Sequence, residues 1–458
     1  MNTTYADFLD SRTQLGVLGG FDPTYLPDSL FPFQRVLVDW AIRNGRVGIF
    51  ADCGLGKTLM ELVWAQNVHL HTGRPVLYIT PLAVGFQAEQ EAHKFGIEAG
   101  ISRTGAITSP ITITNYERLE KFDSSMFAGV VCDESSAIKA FDGTRRAMVT
   151  EFLRMMPYRL LGTATAAPND YIELGTSSEA VGQLGYMDML NRFFINKNKT
   201  SDTRGHWQDR DAGGWRFKGH AQEPFWRWVA SWARAIRRPS DYGFEDGDFI
   251  LPALDVRTTV VEARQPRPDR LFDLPAYGLQ EEREEARRTL TERCEAAAVA
   301  LTDVDSGVAW CQLNDESRTL VKMIDGAVEV SGGDSVESKE EKLRAFSNNE
   351  IRVLVTKPII GAWGLNWQHC HRMTYFPSHS YEQYYQAVRR SWRFGQQHPV
   401  LIDVVTTEGG RAVLENLQRK ATQADAMFES LMQHMNQAIR LDRTNTNTTP
   451  IEVPSWLS

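Results

Sequence analysis

The stretch VGIFADCGLGKTLMELVWAQNVHLH, residues 47–71, decides the fold. VGIF fits a short apolar strand, ADCGLGKT is a glycine-rich turn, and LMELVWAQNVHLH carries apolar residues at helical spacing. A strand, a glycine turn and a helix in that order make the setting of a phosphate loop. The glycines let successive backbone N–H groups face phosphate oxygens, and the helix N-terminus adds its positive end. Within Cys53, Gly54, Leu55, Gly56, Lys57 and Thr58, the lysine is expected to reach the β- and γ-phosphates of ATP and the threonine hydroxyl to ligate Mg2+. Ala51 stands where the strictest pattern has glycine.

A site of this kind needs a carboxylate-bearing strand, and GVVCDE (129–134) supplies it. Asp133 ends an apolar run and is expected to hold Mg2+; Glu134 is expected to orient or deprotonate the attacking water. Further apolar runs at VLYIT (76–80), ITIT (111–114) and YRLLGTAT (158–165) are separated by helix-like segments such as FQAEQEAHKF (86–95). That alternation predicts an α/β fold with a mostly parallel sheet covered on both faces. A second series, LPALDVRTTVVEA (251–263), GVAWCQL (307–313), GAVEVSGG (326–333), IRVLVTK (351–357), RMTYF (372–376) and VLIDVVTT (400–407), predicts a second α/β domain. Between them NKNKTSDTRGHWQDRDAGGWRFKGH (196–220) is expected to be a long loop or insertion. Its Trp207, Trp215 and Phe217, mixed with Arg204, Arg210, Arg216 and Lys218, are candidates to stack bases and touch phosphates, a solvated loop being the plainer reading.

Composition agrees with two domains. A chain of 458 residues exceeds one compact core. The net charge of −8 excludes coating of nucleic acid by bulk attraction and requires a local positive groove for any polyanion. No run approaches the roughly 18 apolar residues of a membrane span, and MNTTYADFLDSRTQLG has no basic region followed by an apolar core, so no secretory leader is expected. The cysteines, five and scattered, argue against a disulfide framework or zinc site and for a reducing cytoplasm. His369 and His371 flank Cys370 on alternating strand faces, which disfavours a shared metal.

Near the end, YYQAVRRSWRFGQQ (384–397) sets arginines among aromatic residues. At helical spacing Tyr381, Tyr385, Val388 and Trp392 form one stripe, expected to anchor the helix in its own domain, while Gln386, Arg390 and Arg393 form an opposite stripe, with Arg389 between. Leu414, Leu417, Ala421, Ala424, Phe428, Leu431 and Met435 predict a C-terminal helix (411–440) packed back on the body. Residues 441–458 read as a polar tail, disordered at least in part.

The order FQRVLVDWAIRNGRVGIFADCGLGKT, VLYITP, ITNYERL, VVCDESSAIK, GTATAAPND, GLNWQHC and QAVRRSWRFGQ resembles superfamily 2 helicase-type ATPases, and within them the compact Swi/Snf-like double-stranded DNA translocases of bacteriophages and prophages. The similarity spans about residues 30–408. It implies two tandem RecA-like parallel-sheet domains with ATP in the cleft between them: an N-terminal extension (1–29), a first domain (30–245, with an insertion at 196–224) and a second (246–440). It implies that Gln34 reads adenine, that Thr163 and Thr165 couple hydrolysis to domain movement, and that Gly364 and Asn366 sense nucleotide from the second domain. Gln386, Arg390 and Arg393 match QxxxRxxRxGQ, whose arginines reach the γ-phosphate. Lys139 and AIRRPSDYGFEDGDFILPAL (235–254) are similar to features of the Swi/Snf branch. Ser136 departs from the usual histidine of DEAH-like boxes, and TKPIIGAWGLNW (356–367) is bulkier than the family's usual segment.

Such motors grip a strand through its phosphates, which makes Thr80, Pro81, Thr114, Asn115, Ser331, Gly332, Thr356 and Lys357 the candidate nucleic-acid contacts. The expected function is a Mg2+-dependent, DNA-stimulated ATPase, monomeric and cytoplasmic, that translocates on or remodels duplex DNA. Its rivals are a strand-unwinding DNA or RNA helicase and a nucleotide-gated binding switch with little turnover. No nuclease, methylase or protein-reading module is apparent, so a protein partner is the expected source of targeting.

Overall fold

The computed structural model describes residues 19–81, 84–140, 143–167, 171–196, 215–264, 278–361 and 366–444. Helix α1 (Pro32–Asn44) starts on a proline, whose missing N–H costs nothing at that position, and closes on Gly45 in the left-handed region. It leads into β1 (Arg46–Ala51), buried at every residue, and then through the glycine turn into helix α2 (Lys57–Thr72). The apolar runs that follow become β2 (Val76–Thr80), β3 (Ala99–Ile101), β4 (Ile111–Asn115), β5 (Gly129–Cys132) and β6 (Tyr158–Gly162).

Two departures from expectation come next. The ends of the anticipated loop pair as an antiparallel ribbon, β7 (Phe194–Asn196) with β8 (Trp215–Phe217). Phe217 stacks on Phe194 with ring centroids 4.5 Å apart, and Trp215 also packs against the first core. These two aromatic side chains are therefore committed to the core and do not stand out as base platforms. Trp207, Arg204 and Arg210 lie outside the described residues. After helix α3 (Gln222–Trp232) comes a strand that the sequence reading missed, β9 (Ala233–Ile236).

The first sheet is parallel throughout, in the order β3-β4-β2-β5-β6-β1-β9. Separate apolar clusters cover its two faces, as an all-parallel sheet requires. The second lobe begins with β10 (Leu254–Val261), and β11 (Gly307–Trp310), β12 (Ala327–Val330), β13 (Val353–Thr356), β14 (Arg372–Tyr375) and β15 (Val400–Thr407) follow. These form a parallel sheet ordered β10-β15-β14-β11-β13-β12. Together the two sheets are tandem RecA-like domains.

Helix α4 (Tyr381–Val388) ends before the arginines, so the expected stripe does not continue to Arg393; residues 389–395 instead turn back, closing on Gly395 at φ 89°. The last helix, α5 (Arg411–Thr444), is 34 residues long, about 50 Å at 1.5 Å per residue. It begins on the second lobe, where Leu417 joins the core and Leu414, Ala421 and Ala424 pack beside it. It finishes on the first, where Met427, Phe428, Leu431, Met432 and Met435 are buried. The backbone N–H of Ala235 in β9 donates to Met435 Sδ at 3.1 Å, and Arg237 pairs with Asp425 at 2.8 Å. The helix thus bridges both lobes and is not confined to the second. Residues 441–444, expected to begin a disordered tail, continue this helix, and the remainder from residue 445 onward lies outside the described residues.

Candidate active site

Between the lobes lies a cavity of about 500 Å³. Its first wall is the phosphate loop, where the sequence dictates the shape. Gly54 and Gly56 have φ of 92° and 72°, in the region that L side chains avoid. A Cβ on Gly56 would sit 2.4 Å from Gln34 Nε2, and one on Gly54 2.8 Å from the backbone nitrogen of Phe394. Lys57 Nζ donates to Ala51 O at 3.0 Å across the base of the loop. Gln34 bridges its own helix start and the loop, accepting from Phe31 N (2.9 Å) and donating to Leu55 O (2.8 Å). Cys53, Gly54, Leu55, Gly56, Lys57 and Thr58 all line the cavity, as does Gln34.

Asp133 and Glu134 enter the same cavity because β5 ends there. Burial, then the charge of Glu134, raises the Asp133 carboxyl from 3.8 to about 6, against the opposing effects of Lys57 and the Thr80 hydroxyl. Thr80 Oγ1 donates to Asp133 Oδ2 at 3.0 Å. Behind them Glu61, fully buried on α2, is held protonated well above the usual carboxylate range by burial and by Asp133. Glu134 adopts φ 50°, a strained conformation for a non-glycine residue and one that concentrates at working sites. Its Oε1 accepts from Ser136 Oγ (2.9 Å) and Thr163 Oγ1 (2.7 Å).

Because β6 runs between β1 and β5, the residues just past its end fall beside the catalytic candidates. Thr163 Oγ1 accepts from Thr165 N at 3.0 Å, and Thr165 Oγ1 donates to Glu382 Oε1 of the second lobe at 3.3 Å. A hydrogen-bonded chain therefore runs from Ser136 and Glu134 through both threonines to helix α4. Ser136, where histidine was expected, binds the glutamate directly.

The opposite wall comes from the second lobe: Asn366, Gln368, Arg390, Arg393 and Phe394. Arg390 is braced by Gln386, with Nε donating to the backbone O (3.1 Å) and Nη2 to Oε1 (2.9 Å). Gln386 is itself buried behind Arg390 and does not line the cavity. Arg393 Nε is buried with no hydrogen-bond partner among the described residues. Burial lowers both guanidinium pKa values, and the neighbouring Arg390 charge helps bring Arg393 to about 10. Two adjacent cations at low solvent exposure favour an anion between them and the loop. At the cavity rim Phe31, Phe249 and Phe394 form an aromatic group that the sequence reading missed, Phe249 stacking on Phe394 with centroids 4.6 Å apart. Gly364 lies outside the described residues.

Most of the candidate nucleic-acid contacts are otherwise engaged. Besides Thr80, Thr114 donates to Ser102 O (3.2 Å), Asn115 accepts from Arg118 N (3.1 Å), and Thr356 donates to Val330 O (2.8 Å), all four side chains being buried. Ser331 is tied to Asp334 through N (3.0 Å) and Oγ (3.3 Å), Gly332 O accepts from Lys339, and Pro81 lines the nucleotide-sized cavity. Lys357 remains half-exposed. The sequence marked these positions as loop and strand ends, which does not tell where a hydroxyl turns.

No protein-family model matches the chain. Protein p41 of Acyrthosiphon pisum secondary endosymbiont phage 1 is 22% identical over 477 residues, covering 87% of this chain and 98% of that protein. Among solved structures, S. cerevisiae Dbp5 bound to RNA and ADP BeF3 superposes with a TM-score of 0.53 at 11% identity, over 89% of this chain and 98% of that one. The Sulfolobus solfataricus SWI2/SNF2 ATPase core in complex with dsDNA gives 0.41 at 15% identity, over 85% and 90%. With its two parallel sheets and the cavity between them, the chain has the fold of the superfamily 2 helicase-type ATPases.

Proposed function

We propose that this protein is a Mg2+-dependent ATPase that moves on or remodels double-stranded DNA, a translocase of the Swi/Snf-like kind. One observation carries the ATPase reading: Lys57 and Thr58 from the first lobe face Arg390 and Arg393 from the second across one cavity that also holds Asp133 and Glu134. Thr58 and Asp133 offer the hard oxygen ligands that suit Mg2+, which when bound would neutralise phosphate charge. The backbone N–H groups of the loop and Lys57 hold the triphosphate. Glu134, oriented by two hydroxyls, positions and deprotonates the attacking water. Arg390 and Arg393 meet the charge that builds on the transferring phosphoryl group. The Phe249 and Phe394 rings give the base an apolar bed, beside Gln34.

Coupling to movement follows from the hydrogen-bonded chain between Glu134 and Glu382, since any shift of the glutamate on hydrolysis is felt by the second lobe. The preference for duplex DNA rests on the motif order, with Arg390 and Arg393 in QxxxRxxRxGQ, Lys139, and the 235–254 link; a partner protein supplies targeting, in a reducing cytoplasm. ATPase rates on duplex DNA, single-stranded DNA and RNA at equal phosphate concentration test this. Duplex should stimulate most; rates indifferent to all three over a wide salt range defeat the motor. Glu134→Gln should block hydrolysis and retain ATP, and a nucleotide-gated switch would survive that change.

A further inference from the structure

Arg389 immediately precedes the first of the two cleft arginines and does not itself line the cavity. Its guanidinium forms an ion pair with Asp52, the second residue of the phosphate-loop stretch ADCGLGKT, and donates to Cys53 O at 3.1 Å. The Tyr385 hydroxyl, one turn earlier on α4, donates to Asp52 Oδ1 as well. Asp52 is further fixed by its own loop, its Oδ1 accepting from Cys53 N at 2.6 Å, and by β9, its N–H donating to Ile236 O at 2.9 Å. Little solvent reaches the pair, whose side chains are 4% and 13% exposed, and Arg389 is flanked by Trp392 at 4.8 Å. A guanidinium desolvated in this way is held by its partners and not screened by water.

The geometry points to Arg389 as a positioning residue that docks the arginine-bearing turn on the phosphate loop. Arg390 and Arg393 follow from that docking. Arg390 is the next residue along the chain, and the turn carrying Arg393 and Phe394 packs so closely that a Cβ on Gly54 would clash with Phe394 and touch Arg393. The role assigned to Tyr385 also changes: its ring belongs to the second lobe's packing, but its hydroxyl serves the first lobe. Two contacts to a single carboxylate fix both the distance and the rotation of the turn relative to Lys57. This inference rests on the ATPase reading of the cleft and adds to it the residue that brings the arginines into register.

The test combines ATPase kinetics with a measurement that needs no turnover. Asp52→Asn and Arg389→Met should each lower kcat on the order of 10²-fold, the cost of misplacing a catalytic group by about 1 Å. The KM for ATP should stay within about threefold, since the loop that binds phosphate is intact. The double variant should be no worse than either single one, and Arg389→Lys should recover part of kcat by restoring charge without the fork. Tyr385→Phe, which keeps the ring, should show a smaller loss of the same kind and serves if Arg389→Met fails to fold. Because the native cysteines are buried, dyes can be attached at cysteines introduced for exposed Met155 and Val299, one on each lobe. Energy transfer between them in nucleotide-free protein should broaden in Asp52→Asn. Normal kcat in Asp52→Asn, or losses that multiply in the double variant, would overturn the docking role while leaving the ATPase reading intact. Absence of ATPase in the unaltered protein, with a narrow energy-transfer distribution, would overturn the ATPase reading instead and remove the role with it.

Discussion

Replacing Asp133 by asparagine should make the metal- and nucleotide-free protein more stable at neutral pH while abolishing hydrolysis. Asp133 is buried beside Glu134, and its carboxyl is raised from 3.8 to about 6. The folded state therefore binds that proton more tightly than the unfolded chain does. Stability present below the unfolded value is lost as pH rises through about 6 and stays lost above it. A shift of roughly two units at about 1.4 kcal/mol each gives a penalty of at most about 3 kcal/mol near pH 8. Asparagine carries no charge and escapes the penalty, and its carbonyl can still accept from Thr80 Oγ1. Urea unfolding in chelator, with wild type and variant compared at about pH 4 and about pH 8, reads the difference directly. The advantage of the variant should be large at the higher pH and close to nothing at the lower. An advantage equal at both, or a variant less stable near pH 8, would refute the reasoning.

Arg393→Ala should reduce kcat by about 10³–10⁵, the range of an arginine supplied across a cleft. Its thermal midpoint should not fall, because burial already depresses the guanidinium to about 10 and its Nε has no partner among the described residues to leave unpaired; a loss of kcat below about tenfold would remove Arg393 from the transition state. Phe428→Ala deletes a ring that is 8% exposed and lies 4.3 Å below the Arg237 guanidinium, at a cost of about 3–5 kcal/mol. Hydrogen exchange should quicken in α3 and β9 of the first lobe and not in the β10–β15 sheet; the reverse pattern would contradict the bridging role of α5.

Central buried strands were legible because they leave unbroken apolar runs. Val76–Thr80 and Val400–Thr407 agree with the expected bounds to the residue. The two edge strands of the first sheet, β3 and β9, were not. Ala233–Ile236 contains Arg234, a residue that argues for solvent, yet its guanidinium lies 4.1 Å over the Trp40 ring and the residue is buried. The phosphate loop could be read because its chemistry is local, each residue serving the next few along the chain. The partners of Asp52, Arg389 and Glu382 could not, since they lie across the lobes and helical periodicity stops at Val388. In the same way, the 3–4 spacing of Leu417 to Met435 tells that a stripe is buried but not that its two ends have different hosts.

The bridging helix constrains how the lobes can part. A single covalent link would let them swing and twist about a point, as beads on a string do. Here the segment between β9 and β10 makes one connection and α5 makes a second, rooted in the core of each lobe. Two attachments set an axis, and what remains is rotation about it, like a door on a pair of pins. Any opening about that axis would carry the arginines along one arc and back to the same loop without a search.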